Sequence, residues 1–191
     1  MKAPIDFYFD FSSPYGYLAS QMVECLAAKY GRSVKWRPML LGAAFKTTGA
    51  APLPTIPLKG DYAKRDFLRS ARYYGIPFRL PDPFPISTVA AARAFYGVPE
   101  DKQVPLAKAL YKAYFADGVN IGEAENVLKV AASVGCKPDL NDQAVKDRTR
   151  SEVDAAIAKG VFGSPYIVVD GEPFWGVDRF EQLERWLKEP F

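Results

Sequence analysis

The 191-residue sequence contains no histidine. That removes the usual general base, the usual zinc ligand and every Ser-His or Cys-His nucleophile arrangement. Cysteine is scarce. Cys25 and Cys136 stand far apart and match neither a C-x-x-C pair nor a zinc-ligand spacing, so no metal site is expected. Cys25 falls on the apolar side of the first expected helix and reads as a buried, inert thiol. Neither sign of charge dominates. With 25 basic against 22 acidic residues the net charge is +3, too balanced to argue for nucleic acid or a membrane surface. No apolar run approaches the ~20 residues of a transmembrane helix, and no signal-peptide pattern opens the chain. A soluble, cytoplasmic protein is expected. An enzyme of this composition draws its reactive group from a bound small molecule.

Hydrophobic residues, at 49%, are enough for a real core, and the length suits one domain with an insertion or two small domains. The organising stretch is Phe7 to Leu18. Phe7, Phe9 and Phe11 alternate with polar neighbours, as in a strand. Ser13 then precedes Pro14, and Leu18, Met22 and Leu26 follow at helical spacing. Serine is a preferred N-cap and proline suits the first helical position. The strand thus runs into a helix N-terminus, where free amides and the helix dipole favour an anion. On that stretch alone the plainer reading of Ser13 is a helix cap and nothing more.

Gly31 is placed to end that helix, and Ser33 to Trp36 reads as a second, parallel strand ended by Pro38. Met39 to Leu58 is loop-rich, with room for a short helix around Ala43 to Thr47. From Gly60 to Lys159 the pattern is helical: a helix to Gly75, a proline-dense link from Pro77 to Pro85, and a helix capped by Ser87 running to Tyr96. Another has Pro105 near its start; Glu123 to Val134 and Asp142 to Lys159 complete the set. Strands return at Tyr166 to Val169 and at Phe174-Trp175, joined by an Asp170-Gly171 turn. Asp178 and Glu181 form a D-x-x-E capping pattern before a terminal helix. The order is an α/β, thioredoxin-like β-α-β … β-β-α layout. Residues 1–41 and 160–191 form that domain, with an all-helical insertion over 42–159.

In that layout three loops meet at one edge: Ser12-Ser13-Pro14, Ser164-Pro165 and Val177-Asp178. Pro165, opening a strand, is expected to be cis, and Ser164 can offer backbone N–H and C=O to an extended peptide. Serine cannot form a disulfide, so redox exchange by this turn is excluded. A serine hydroxyl at a helix N-terminus can instead donate to a thiolate from elsewhere. A free thiol ionises at about 8.5, and helix N-termini lower that value.

Four ordered motifs carry a resemblance over nearly the whole length: Phe9-Asp10-Phe11-x-Ser13-Pro14, Arg37-Pro38-x-Leu40-Leu41-Gly42-x-x-Phe45-Lys46-x-Thr48-Gly49, Phe162-Gly163-x-Pro165, and Trp175-Gly176-x-Asp178-Arg179. The chain resembles the 2-hydroxychromene-2-carboxylate isomerases, relatives of kappa-class glutathione transferases and DsbA-like oxidoreductases. The resemblance implies a thioredoxin-like fold with a helical insertion, a homodimer and glutathione as cofactor. It also implies interconversion of 2-hydroxychromene-2-carboxylate, a small aromatic carboxylate, and trans-o-hydroxybenzylidenepyruvate. It makes Ser13, directly before proline, the residue that steadies the glutathione thiolate, with Ser12 the rival hydroxyl. It sets Asp178 and the Val177 amide at the γ-glutamyl end and Lys59 near glutathione's carboxylates. Ser164 and Pro165 line the same cofactor, and Lys46 is a candidate for the substrate carboxylate. Two departures stand out: Ala50 and Ser87 replace asparagines common in relatives. Tyr8, Tyr15, Phe45 and Trp175 either line a pocket for an aromatic substrate or pack the core. A kappa-like transferase and a non-catalytic binding protein are the competing readings.

Overall fold

The computed structural model describes residues 2–191. In chain order it contains β1 (Ile5–Phe9), α1 (Pro14–Ser20), α2 (Val23–Lys29), β2 (Val34–Pro38), α3 (Leu41–Thr48), α4 (Lys59–Tyr74), α5 (Val89–Tyr96) and α6 (Glu100–Lys112). These are followed by α7 (Ala124–Ser133), α8 (Gln143–Ala158), β3 (Tyr166–Val169), β4 (Glu172–Trp175) and α9 (Phe180–Lys188). Short 3₁₀ turns lie at Leu53–Thr55 and Val177–Arg179, and a π turn, Ala113–Asp117, extends α6. The four strands run in the order β2-β1-β3-β4. β1 is parallel to β2, with Phe7 opposite Trp36, and antiparallel to β3, with Phe7 opposite Ile167. This is the thioredoxin arrangement expected from the sequence.

The aromatic alternation in β1 sets the core. Ile5, Phe7 and Phe9 are fully buried on one face of the sheet, and Tyr8 is buried on the other beside Met39, Val161 and Tyr166. Phe7 stacks on Phe9 at 5.1 Å between ring centroids, and Trp36 meets Phe7 edge-on at 5.1 Å. Phe9 in turn meets Phe95 of α5 at 6.2 Å and Tyr111 of α6 at 5.6 Å. The helices between β2 and β3 therefore share one continuous core with the sheet. Burial of these large rings is a major part of its hydrophobic stabilisation.

Local detail departs from the sequence pattern in four places. The first helix is two: α1 stops at Ser20, whose hydroxyl donates to the Tyr17 carbonyl, and the chain tightens through Gln21–Leu18 and Met22–Ala19 bonds before α2 starts. That break turns α2 so that Val23 and Ala27 face the core. Cys25 is consequently exposed, not buried. Gly31, at φ +67°, does close α2 as expected, through an Arg32-to-Ala27 backbone bond. Pro105 sits in the interior of α6, since Pro99 already opens that helix. Thr88, not Ser87, occupies the position before α5, and its hydroxyl turns away from the helix.

The fourth departure is Asp178. A 3₁₀ turn precedes α9, so the residue before that helix is Arg179, and no side chain caps it. The Asp178 carboxylate instead pairs with Arg179 at 3.3 Å. The outer strands each carry a proline, Pro38 in β2 and Pro173 in β4.

Gly16, in the first turn of α1, is required by close approach. A Cβ there would lie 2.6 Å from both the Ser164 hydroxyl and the Tyr111 hydroxyl, and 3.1 Å from Ser13 Cβ. Gly16→Ala is expected to lower unfolding free energy by about 1–3 kcal/mol despite alanine's better helix propensity, read by urea denaturation.

Candidate functional site

β1 ends at Phe9, and the chain turns through Asp10 to Ser12 into α1. Ser13 adopts an extended backbone (φ −91°, ψ 114°), and its hydroxyl accepts from the Gly16 amide at 3.0 Å, as an N-cap should. The same hydroxyl donates to the Ser164 carbonyl at 2.9 Å, a bond between residues 151 apart. Ser13 is only 5% exposed. The cap and the convergence of loops are therefore both present in one side chain.

The Ser164–Pro165 peptide is cis. The Ser164 hydroxyl accepts from the Asp10 amide at 2.9 Å, and the Gly176 amide donates to the Pro165 carbonyl at 3.1 Å. Tyr74 of α4 reaches the Val177 carbonyl at 3.4 Å. Hydrogen bonds thus link the Ser13 turn to the cis-proline loop, and that loop to the strand end leading into Val177 and Asp178. Val177 is buried, whereas the Asp178 side chain is 69% exposed and open to a ligand.

Beside this line lies a network that sequence reasoning missed. Tyr15 packs its ring on Phe67 of α4 and donates its hydroxyl to Asp66. Asp66 also pairs with Arg69, whose guanidinium reaches the Tyr62 hydroxyl at 3.0 Å. Burial first, then Asp66, pushes the Tyr15 phenol far up, so it remains protonated. Burial alone would raise Asp66, but hydrogen bonds from Tyr15 and Arg69 outweigh it and hold the carboxyl below its ordinary value. The Asp178 charge adds a smaller push in the same direction on the Tyr15 phenol.

The remaining candidates divide. The Ser12 hydroxyl accepts from the Ile86 amide at 3.3 Å, facing the proline-rich link. Lys46, in the last turn of α3, and Lys59, the first residue of α4, are exposed and make no ion pair among the described residues. Helix rise puts Lys59 about 10 Å along α4 from Asp66. Neither lysine bonds to the Ser13 cluster among the described residues. Ala50 is exposed just beyond α3, and Ser87 is exposed in the link. Tyr8 belongs to the core, whereas Trp175 is 55% exposed, edge-on to Phe162 at 4.9 Å, and lies over Gly163. Two shallow grooves, one along β4 and α9 and one between α2 and α9, are lined by neither Ser13 nor Asp178. No helix of the described residues is long and apolar enough to cross a membrane.

A thioredoxin fold whose first helix opens on Ser-Pro, facing a cis-proline loop, is a DsbA-like architecture with a hydroxyl where a redox enzyme needs a thiol. The family model of the DSBA-like thioredoxin domain matches residues 4–188, and the chain belongs to that family. It is 30% identical to the 2-hydroxychromene-2-carboxylate isomerase of Sphingobium xenophagum, over 98% of this chain and 99% of that protein. It is 29% identical to glutathione s-transferase kappa 2 of Caenorhabditis elegans, over 98% and 92%. The solved structure of a 2-hydroxychromene-2-carboxylate isomerase superposes with a TM-score of 0.85 at 28% identity, covering 96% of this chain and 94% of that one. Within the DsbA-like family the chain thus belongs with the 2-hydroxychromene-2-carboxylate isomerases and their kappa-class transferase relatives.

The Tyr15–Asp66 bond has a pH signature. Asp66 is more acidic folded than unfolded, so its stabilisation is complete above the unfolded value near 4 and fades as pH falls through the lower folded value. Tyr15→Phe is expected to cost about 1–2 kcal/mol at pH 7, modest because Asp66 is partly solvated. The gap between variant and parent should narrow as urea titrations are taken to acid pH, below the ordinary carboxylate range.

Proposed function

We propose that the protein is a glutathione-dependent isomerase that interconverts 2-hydroxychromene-2-carboxylate and trans-o-hydroxybenzylidenepyruvate, acting as a cytoplasmic homodimer. The observation that carries this reading is the Ser13 hydroxyl, held at the N-terminus of α1 and directed at the cis-proline loop. The residues fit glutathione. Ser164, next to the cis-proline and bonded to Ser13, has backbone groups suited to a peptide-like ligand, Asp178 presents an exposed carboxylate to an ammonium group, and Lys46 and Lys59 are unpaired cations among the described residues. Large exposed side chains at Leu58, Tyr62 and Tyr73 support a surface covered by a second copy.

Glutathione, when bound, would supply a thiol nucleophile for reversible addition to the conjugated substrate. The chain's own part is electrostatic. Ser13 keeps the Gly16 amide as its donor and turns its single proton from the Ser164 carbonyl to the sulfur, while α1 adds the positive end of its dipole. The Ser164 carbonyl, released by that turn, is then free to accept from the peptide-like backbone of the ligand. Lys46 steadies the substrate carboxylate, and Lys59 the carboxylates of glutathione. Asp178 holds its amino end, with the Val177 amide beside it.

A second reading, a kappa-like transferase whose adduct persists, is supported by the kappa-class relative. Mass spectrometry of products separates the two, because an isomer keeps the substrate's mass and a conjugate gains glutathione. A protein that binds without turnover would yield neither product. Ser13→Ala is expected to lower kcat roughly 10²–10³-fold, the scale of losing one transition-state donor. Near-normal kcat/KM in that variant would refute the role. Asp178→Asn should weaken glutathione binding in calorimetry with little change in stability, since the carboxylate caps no helix. Unchanged affinity would remove Asp178 from the site.

A further inference from the structure

Asp10 lies at the end of β1, is 3% exposed, and has no lysine or arginine partner among the described residues. A buried carboxylate without a cation is costly unless donors surround it. Here they do. Its oxygens accept from the Ser12 amide at 2.8 Å, the Leu41 amide at 2.6 Å and the Thr88 hydroxyl at 2.8 Å. Ser12 leads into α1, Leu41 is the first residue of α3, and Thr88 stands at the start of α5. The starts of three helices are therefore tied to one side chain: α3 through its first amide, the turn into α1 through the Ser12 amide and α5 through the Thr88 hydroxyl. Its backbone is used as fully. The Asp10 amide donates to the Ser164 hydroxyl at 2.9 Å, and its carbonyl accepts from the Ser13 amide and from the Tyr111 hydroxyl, each at 2.9 Å.

We propose that Asp10 is the positioning residue for Ser13. It pins the Ser12–Ser13 turn, the start of α3 and the Ser164 loop in the one arrangement that lets the Ser13 hydroxyl span to the cis-proline loop. Its bonds reach the elements around Ser13: the turn through the Ser12 and Ser13 amides, the opposite loop through the Ser164 hydroxyl, and the floor through Tyr111. Burial pushes the Asp10 carboxyl above the ordinary carboxylate range, and the Ser12, Leu41 and Thr88 donors pull against that rise. Tyr111 is the one ionisable group bonded to Asp10 among the described residues, and burial followed by the Asp10 charge keeps it protonated.

An amide at this position cannot do the same. Asparagine keeps one acceptor oxygen and turns an NH₂ towards an N–H donor, so either Ser12 or Leu41 loses its partner. In Asp10→Asn, hydrogen exchange at the Ser12, Ser13, Gly16 and Leu41 amides should speed up while the β1–β3 amides keep their protection. The kinetic arm rests on the glutathione reading. There kcat should fall about 10–100-fold with glutathione KM within about twofold, the cost of a misplaced group. The pH at which bound glutathione ionises, followed by ultraviolet thiolate absorbance, should move upward.

Unchanged exchange at the turn, or an unmoved or lowered ionisation midpoint, would overturn the assignment. If Asp10→Asn does not fold, Thr88→Val and Thr88→Ser decide. Roughly fivefold slower turnover in the first, for one net hydrogen bond, with normal turnover in the second supports it; normal turnover in both overturns it. Absence of any glutathione binding by the parent protein would end the glutathione reading, and the exchange data alone would then accept or reject Asp10 as the holder of the turn.

Discussion

One hydroxyl joins two segments that are 151 residues apart in the chain: Ser13 donates to the Ser164 carbonyl. For that bond to form, β1 must lie against β3, the chain must turn sharply after Phe9, and Gly16 must leave room for two other hydroxyls. The stacked rings of β1 provide the first condition and Asp10 the second. The core and the site are in this sense one construction, because the residues that pack the sheet also set where its loops end. With no histidine anywhere in the chain, the Ser13 turn has hydrogen bonds and the α1 dipole, not an imidazole, with which to steady a charge.

What was legible in the sequence was legible because it was local. The Phe7, Phe9, Phe11 alternation gives β1, Ser13-Pro14 gives the start of α1, and Gly31 gives the end of α2. The Asp170-Gly171 pair gives the β3–β4 turn, with Asp170 itself at φ +53°. The meeting of Ser13 with Ser164 also followed, since it depends on strand order. What escaped depends on small rotations or on distant partners. Cys25 looked buried because apolar spacing was read across Met22, where the helix breaks and its phase is lost. Ser87 and Asp178 carry good capping side chains, yet a cap needs one exact backbone position, and each stands a residue too early.

Asp10 and Asp66 were invisible for a different reason. A lone aspartate after a strand, or within a charged helix, resembles many solvated aspartates. Nothing in its neighbours shows that Leu41, Thr88 and Ser164 fold down onto the first, or that Tyr15 reaches the second. Such polar hubs are assembled from single residues of many elements, each of which has an ordinary local role. Their signal is three-dimensional. The Tyr15–Asp66 link also ties α4, which lies between the two halves of the sheet-forming sequence, to the helix that carries Ser13.

The prolines at the two margins of the sheet have a consequence for assembly. Met39 donates inward from β2 to Phe9, so alternation turns the nitrogen of Pro38 outward; the Gly176–Pro165 bond likewise leaves the nitrogen of Pro173 facing away from β3. Each free margin therefore lacks a donor where an incoming strand would need it, which guards the protein against templated aggregation. In the proposed function, main-chain recognition of the tripeptide falls to the bend at Ser164, away from the flanks of the sheet.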